Sequence, residues 1–459
     1  MSNYSVSRRN IQQRPGDSGY AQILRTLLFL SIPTIVEEVL ATLLQYVDTA
    51  MVGQLGEQAT ASVSITTNVT WLVNSVAGAV GTAILVLISK ASGAGDEKQV
   101  KKLSQQALFL ALASGVLLEI LSLILCPYIP IWMGAEPAIR DQASRYFFII
   151  SVPLVFRYVS TVLGAALRAV QDTKTPMLIS LAANGLNIVL NYFLIYPADL
   201  GVDGAAIASA VSYALSGILM FVSCRKNSQL CWKLREFSVD RKLLAECADV
   251  GMPVLGTSMV RCFGYVVFAG LVSGMGTTVF AAHSIAVTAE TIFYVPGYGL
   301  RSAASTLIGN ARGEENMKKL KTVGILSVLL TVAVMCVSGL VLFFGAYLLM
   351  SLFTPSRPAV DLGAEMLRLV ALSEPFFGLM VVLEGIFYGL GRTRYSFIVE
   401  TVGMWCVRIL FTFLCVRYWG LGLRAVWYCM IADNVCKAVL FAVPFLTKRS
   451  RVRQWLGRP

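Results

Sequence analysis

Charge is scarce in this chain of 459 residues: Asp, Glu, Lys and Arg together make 14%, against roughly a quarter in soluble proteins. At about 150 residues per soluble domain the length suggests three, and three soluble surfaces would need more charge than this. Histidine is scarcer still, with His283 alone, so zinc sites built on paired histidines are excluded. The dipeptide Gly-Lys does not occur, which removes the phosphate-binding P-loop and ATP hydrolysis by that route. The ten cysteines form no CxxC pair and lie mostly in apolar runs, where free cysteine acts as a small hydrophobe. No cleavable signal peptide is expected, because residues 1–22 are polar and the first apolar run is long enough to span. With no recognisable catalytic set, the chain reads as neither an enzyme nor a cofactor carrier.

What is abundant is hydrocarbon. Hydrophobic residues reach 56%, in long runs such as 107–124, 325–344 and 425–446, each near the ~20 residues a spanning helix needs. Breaks at charges, Gly and Pro predict twelve spans, at 24–47, 59–89, 103–126, 142–167, 177–196, 203–224, 246–272, 278–309, 319–350, 360–390, 397–417 and 422–447. The termini and even-numbered connections carry 27 Lys and Arg, whereas the odd connections hold only Arg140, Arg357, Arg417 and Arg424. By the positive-inside rule both termini are expected in the cytoplasm, and the net charge of +12 is mostly anchoring toward anionic lipid. Nucleic acid is not an expected partner.

The two halves resemble each other at an offset of 220: Pro33 with Pro253, Gly56 with Gly276, Ser64-Ile65 with Ser284-Ile285, Gly93 with Gly313, Thr173 with Thr393. Six spans per half is an even number, so the repeat is parallel, with its axis along the membrane normal. The expected architecture is an all-α membrane protein of twelve transmembrane helices in two six-helix lobes related by a pseudo-two-fold axis. The lobes are placed at 24–225 and 246–447, a cytoplasmic linker at 226–245, and cytoplasmic tails at 1–23 and 448–459. Such halves commonly rock about a shared midplane cavity, as in secondary transporters.

Several phrases together resemble the multidrug and toxic compound extrusion (MATE) family over nearly the whole chain. They are Ile32-Pro33 with Asp48-Thr49-Ala50-Met51-Val52-Gly53, Leu87-Ile88-Ser89 with Gly93-Ala94-Gly95-Asp96, and the Asn184 to Asn191 stretch. Gly201-Val202-Asp203-Gly204-Ala205-Ala206, Thr306-Leu307-Ile308-Gly309 and Gly389-Leu390-Gly391-Arg392-Thr393 complete the set. The resemblance implies an inner-membrane antiporter that exports organic compounds, often cationic and aromatic, against inward H⁺ or Na⁺. It is closer to the DinF-type than the NorM-type branch, since NorM-type acids would fall at Arg261 and near Phe377, and neither acid is present.

Ionisable groups inside spans are costly unless paired or hydrated, so each is a functional candidate. Asp48 lies fifteen residues after Pro33, about 22 Å further along a helix. Position alone allows an interfacial acid; the resemblance matches Asp48 and the helix-bending Pro33 to an N-lobe site for the coupling cation. A carboxylate there can carry a proton or ligate Na⁺. Ser180, Asn184, Asn187 and Asn191 fall on one helical face of the fifth span, either as interhelical hydrogen-bonders or as site residues. At the 220 offset the three asparagines become Met404, Val407 and Phe411, and Asp48 becomes Phe268. A packing requirement would tend to appear in both halves, so the asymmetry points to a cation site in the first. Ser209 is a further candidate there, or else a small residue for close packing.

Glu37, Arg261, Glu290 and Arg301 are candidate cavity charges, with Arg261 expected to pair with Glu37 or Glu38 across the lobes, or else to meet an acidic substrate. Glu290 and Arg301 flank Pro296-Gly297-Tyr298-Gly299, read as a break in the eighth span. Asp433 and Lys437 are spaced to neutralise each other, and His283 reads as a packing histidine. The chain is compatible with a monomer. The competing function is a flippase for a lipid-linked glycan or other anionic lipid precursor, kept alive by Arg157, Arg261, Arg301 and Arg408.

Overall fold

The computed structural model describes residues 19–232, 237–354 and 356–447; most of both expected tails and the middle of the linker fall outside these. Helices fill the chain: α1 Gly19–Gly53, α2 Glu57–Gly93, α3 Glu97–Leu125, the single turn α4 Ile129–Trp132, α5 Pro137–Ser151, α6 Leu154–Ala169, α7 Lys174–Ile195 and α8 Gly201–Lys226. The second half runs α9 Arg241–Ser273, α10 Thr277–Gly313, α11 Met317–Phe353, α12 Arg357–Ala371, α13 Glu374–Gly389, α14 Thr393–Thr401, a π-helical stretch Val402–Ile409, α15 Leu410–Arg417 and α16 Leu423–Thr447. Among the described residues ten helical segments are long and apolar enough to cross a membrane, and the bent pairs α5–α6 (48°) and α12–α13 (54°) bring the number to twelve.

Those bends replace the single helices expected at 142–167 and 360–390. Pro153 and Pro375 sit at the breaks, where each removes an amide donor and crowds the carbonyl one turn back. The exposed amide of Val155 at the start of α6 donates to Glu119 Oε2 at 3.1 Å, a satisfied helix terminus within the bundle. Pro296 acts differently from expectation. The helix α10 runs unbroken from Thr277 to Gly313 with Pro296 inside it, so there is no interruption of the eighth span.

Duplication is written into the turns as well as the helices. Gly56 and Gly276 both take φ near +110° (+107° and +112°) ahead of α2 and α10, a conformation open to glycine at little cost. Asp96 caps α3 by accepting from the Gln99 N–H at 2.9 Å, and Asn316 caps α11 by accepting from the Lys319 N–H at 3.0 Å, two equivalent N-caps.

The halves meet through α1 on α10, α2 on α9 and α2 on α10. At the end carrying the basic connections, Gly93 lies against the backbone of Asn310, Gly313 against Lys90, and Gly309 against Ser89. Because 93 pairs with 313 and 90 with 310 at the repeat offset, the first two contacts are mates of one another, as at any two-fold interface. A Cβ at any of the three glycines would fall inside its neighbour. Nearer the middle, Thr34 donates to the Gly299 carbonyl at 3.0 Å.

Candidate functional site

The N-lobe site is built by α1, α7 and α8. Asn187 and Asn191 are buried on the inner face of α7, one turn apart, so their amides stack along one line. The Asn191 amide donates to Asp48 Oδ1 at 2.5 Å and to Asn187 Oδ1 at 3.0 Å, and the Asn187 amide reaches Ser209 Oγ at 3.3 Å. With the Asn187 amide turned over, its nitrogen faces Asp48 Oδ1 at 3.0 Å and its oxygen accepts from the Ser209 N–H at 3.2 Å. Asn191 Oδ1 has no partner. Among the described residues Asp48 makes no ion pair.

Asn184 is not drawn into this cluster; its Nδ2 is buried without a partner. Pro33 is buried within an unbroken α1, and the hydroxyl of Thr34 beside it has the Leu30, Ser31 and Gly299 carbonyls as alternative acceptors at 3.2, 2.9 and 3.0 Å. Two residues before Asp48, the Tyr46 hydroxyl donates to the Thr288 carbonyl on α10 and its ring meets Phe353 edge-on. Helix α1 thus grips the N-lobe through Asp48 and the C-lobe through Tyr46.

The C-lobe carries charge of a different kind. Glu384 accepts from Arg301 at 2.8 Å, from Arg261 at 3.3 Å and from the Tyr388 hydroxyl at 2.9 Å. Glu400 binds Arg261 and Lys437, both at 3.1 Å; Asp433 binds Lys437 at 3.0 Å and Arg408 at 2.9 Å. This corrects the expected partners of Arg261, which are Glu384 and Glu400 in its own lobe: α14, which carries Glu400, packs directly on α9, and Glu384 reaches in from α13. Glu37 pairs instead with Arg168 at 3.2 Å. The Asp433–Lys437 pair forms as its spacing suggests. Arg408 rides on the π-helical stretch, where Gly403 lets Asp433 and Lys437 come up against the backbone.

Glu374, one of several intramembrane charges that the sequence does not single out, is 1% exposed with neither oxygen hydrogen-bonded. It opens α13 just past the bend, and its charge lies at the positive end of that helix. Glu290, also buried, is in electrostatic reach of it. The doubled Ser-x-Pro signal at 151–153 and 373–375 marks both bends in the sequence. His283 packs edge-on against Phe268 and Trp427.

Two pseudo-symmetric lobes of membrane-spanning helices, each with polar side chains gathered inside, define a membrane transporter. The family model described as MatE matches residues 33–193 and again 253–414. A probable multidrug resistance protein NorM from Thermotoga maritima is 30% identical over 448 residues, spanning 95% of each chain. A second, from Photorhabdus laumondii, is 25% identical over 446 residues, spanning 95% of this chain and 97% of that one. Among solved structures, a MATE crystallised in complex with MaL6 superposes with a TM-score of 0.89 at 24% identity, over 96% of this chain and 100% of the other. A MOP superfamily transporter from Pyrococcus furiosus, noted for a binding pocket of reverse polarity, superposes at 0.88 and 24%, over 97% and 100%. The chain belongs to the MatE family, and it is a multi-pass membrane transporter rather than an enzyme.

Proposed function

We propose that the protein is a cation-coupled antiporter, driven by H⁺ or Na⁺, that exports organic amphiphilic compounds, cationic ones among them, by alternating access. The observation that carries this reading is the Asp48 carboxylate: it lies between helices of a membrane bundle with amide partners and no cationic one. In the C-lobe Glu384, Glu400 and Asp433 are neutralised by Arg and Lys, while the buried Glu290 and Glu374 make no ion pair among the described residues; Asp48 differs from these two in having amide and hydroxyl groups gathered around it, and its charge is met by a proton or a hard cation. Asn187, Asn191 and Ser209 supply neutral oxygens around it, suited to Na⁺ and equally able to hydrogen-bond a protonated acid.

Coupling follows from the place of α1. Loading Asp48 takes the charge out of its bond to Asn191 and weakens the hold of α1 on α7, while Tyr46 and Thr34 hold α1 to the C-lobe. The load state therefore biases how the lobes meet, and substrate and cation compete through that equilibrium. The names of the relatives, multidrug resistance proteins, support organic compounds as cargo. The chain then sits in a bacterial-type inner membrane as a monomer with both termini cytoplasmic, its lobes at 24–225 and 246–447. A lipid-linked glycan flippase has less support, since Arg261, Arg301 and Arg408 are held by carboxylates.

Ethidium transport in proteoliposomes, under a pH gradient or a Na⁺ gradient imposed one at a time, tests the proposal. The wild type is expected to transport with one of them and Asp48→Asn to lose the gradient's effect. Equal transport by both proteins under the same gradient rules the mechanism out.

A further inference from the structure

Helix α9 has one face in the lobe contact and another against lipid. Val250, Gly251 and Val254 pack on Ala79 and Ala83 of α2, which fixes the inward face. By helical spacing Ala245, Ala248, Asp249, Met252 and Gly256 lie on the opposite side, beside α14. There, with Arg394 and Phe397 of α14, they line a groove of about 560 Å³, a volume within the range of ligand sites. Polarity along the groove follows that of a bilayer. Arg394 is the second residue of α14, at the end of the bundle that carries the basic connections, and its Nη2 donates to Asp249. Both side chains stay open, at 77% and 63% accessible. One to two turns deeper come Met252, Phe397 and Gly256, where a Cβ on the glycine would meet the Phe397 ring. The groove thus has a charged rim at headgroup depth and an apolar floor beneath it.

The first half differs at the matching place. At the 220 offset Ala245, Ala248 and Gly256 become Arg25, Leu28 and Val36, and Asp249 becomes Phe29. Bulkier side chains therefore stand on the corresponding face of α1, and Lys174, the mate of Arg394, lies 4.6 Å over the Phe29 ring. A packing requirement shared by the halves would not open a groove and add an acid in one of them alone.

We infer that this groove holds one phospholipid with an ethanolamine headgroup: its phosphate on Arg394, its primary ammonium on Asp249, and an acyl chain along Ala248, Met252, Gly256 and Phe397. A groove left empty against hydrocarbon forfeits dispersion contacts along its floor, and an acyl chain restores them. Arg394 commits Nη2 to Asp249, which leaves the rest of its planar donor fork for phosphate oxygens. Asp249 selects the headgroup. A primary ammonium can donate to its carboxylate, a choline has no N–H to donate, and a glycerol headgroup brings no positive charge to offset an acid beside the phosphate.

Native mass spectrometry of the full chain in detergent, titrated with dioleoyl phosphatidylethanolamine, phosphatidylcholine or phosphatidylglycerol, reads the binding of the first lipid and needs no transport. Phosphatidylethanolamine is expected to bind at least about threefold tighter than either of the others, the effect of one charge-assisted hydrogen bond open to water. Asp249→Asn should abolish its advantage over phosphatidylglycerol, and Arg394→Gln should weaken all three lipids together. Ala248→Leu, which places the residue of the first half in the groove, should weaken all three and keep their order. Headgroup preference is a ratio between lipids on one preparation, so a partly misfolded fraction does not imitate its loss. Equal affinity of the wild type for the three lipids, tightest binding of phosphatidylglycerol or phosphatidylcholine, ratios unchanged in Asp249→Asn, or affinities unchanged in Ala248→Leu would each overturn the inference.

Discussion

Lys437→Met probes the C-lobe charge chain most sharply. Lys437 is 2% exposed, with Nζ 3.1 Å from Glu400 and 3.0 Å from Asp433. Methionine fills the space of the stem with little strain, so the change removes a charge and two charge-assisted hydrogen bonds. Glu400 keeps Arg261 and Asp433 keeps Arg408, so neither acid is wholly abandoned. Breaking a buried pair outright costs about 3–5 kcal/mol, and the retained partners put this case near the lower end, at about 3 kcal/mol. With an unfolding entropy of about 2 cal/mol/K per residue, a chain of this length would lose at least roughly 3 °C in its melting temperature. Thermal unfolding of the purified protein in detergent reads the shift. Adding Glu400→Gln removes one of the stranded charges, so the double variant should be more stable than the sum of the two single losses predicts. A melting temperature within 1 °C of wild type, or strictly additive losses, would show that the chain of ion pairs does not hold the lobe.

Three other substitutions test separate parts of the account. Asn191→Leu takes away the amide that meets Asp48 at 2.5 Å; it should weaken the cation dependence of ethidium transport at least tenfold while leaving the melting temperature within a few degrees. Gly309→Val puts a branched side chain into Ser89 at the basic end of the lobe contact; overpacking of about 1–3 kcal/mol or more should separate α2 from α10, raising maleimide labelling of a cysteine placed at Ala94 and abolishing transport. Glu37→Gln leaves Arg168 without its partner at a site where the side chains are 19% and 20% accessible, open enough for solvent to screen the pair to about 1 kcal/mol. That variant should transport nearly as well as wild type, and a large loss would give the pair a role beyond packing.

The fold was legible because the bilayer leaves few options: long apolar runs with basic connections can hardly be anything but spanning helices. The 220-residue echo pointed to the two-fold relation of the halves, and the structure adds the contacts that Gly93 and Gly313 make with opposite partners. The bends were less legible. Ser151-Val152-Pro153 and Ser373-Glu374-Pro375 break their helices, whereas Pro33, Pro253 and Pro296 stay inside unbroken ones. At Pro33 the Thr34 hydroxyl takes up neighbouring carbonyls; at Pro153 the carboxylate of Glu119 receives an amide from 36 positions away, which periodicity along one helix does not reveal.

The candidate cation site was partly readable for a similar reason. Asn187 and Asn191 share a face by helical spacing, and Asp48 stood out by its absence from the second half. Asn184 shares that face too, yet lies one turn too far along to reach the carboxylate. Partners of arginine were the least legible, because a long side chain chooses among acids on three or four neighbouring helices. Arg261 takes Glu384 and Glu400, more than a hundred residues away, over Glu37 and Glu38 on the other lobe.

Cation release on substrate binding tests the central claim most directly. Purified protein, loaded with radiolabelled Na⁺ or held lightly buffered with a pH-sensitive dye, is given ethidium, and the ion set free is counted. The account predicts close to one H⁺ or one Na⁺ released per wild-type molecule and none from Asp48→Asn. Release of the same amount from the variant, or none from a wild type that binds ethidium, would contradict it.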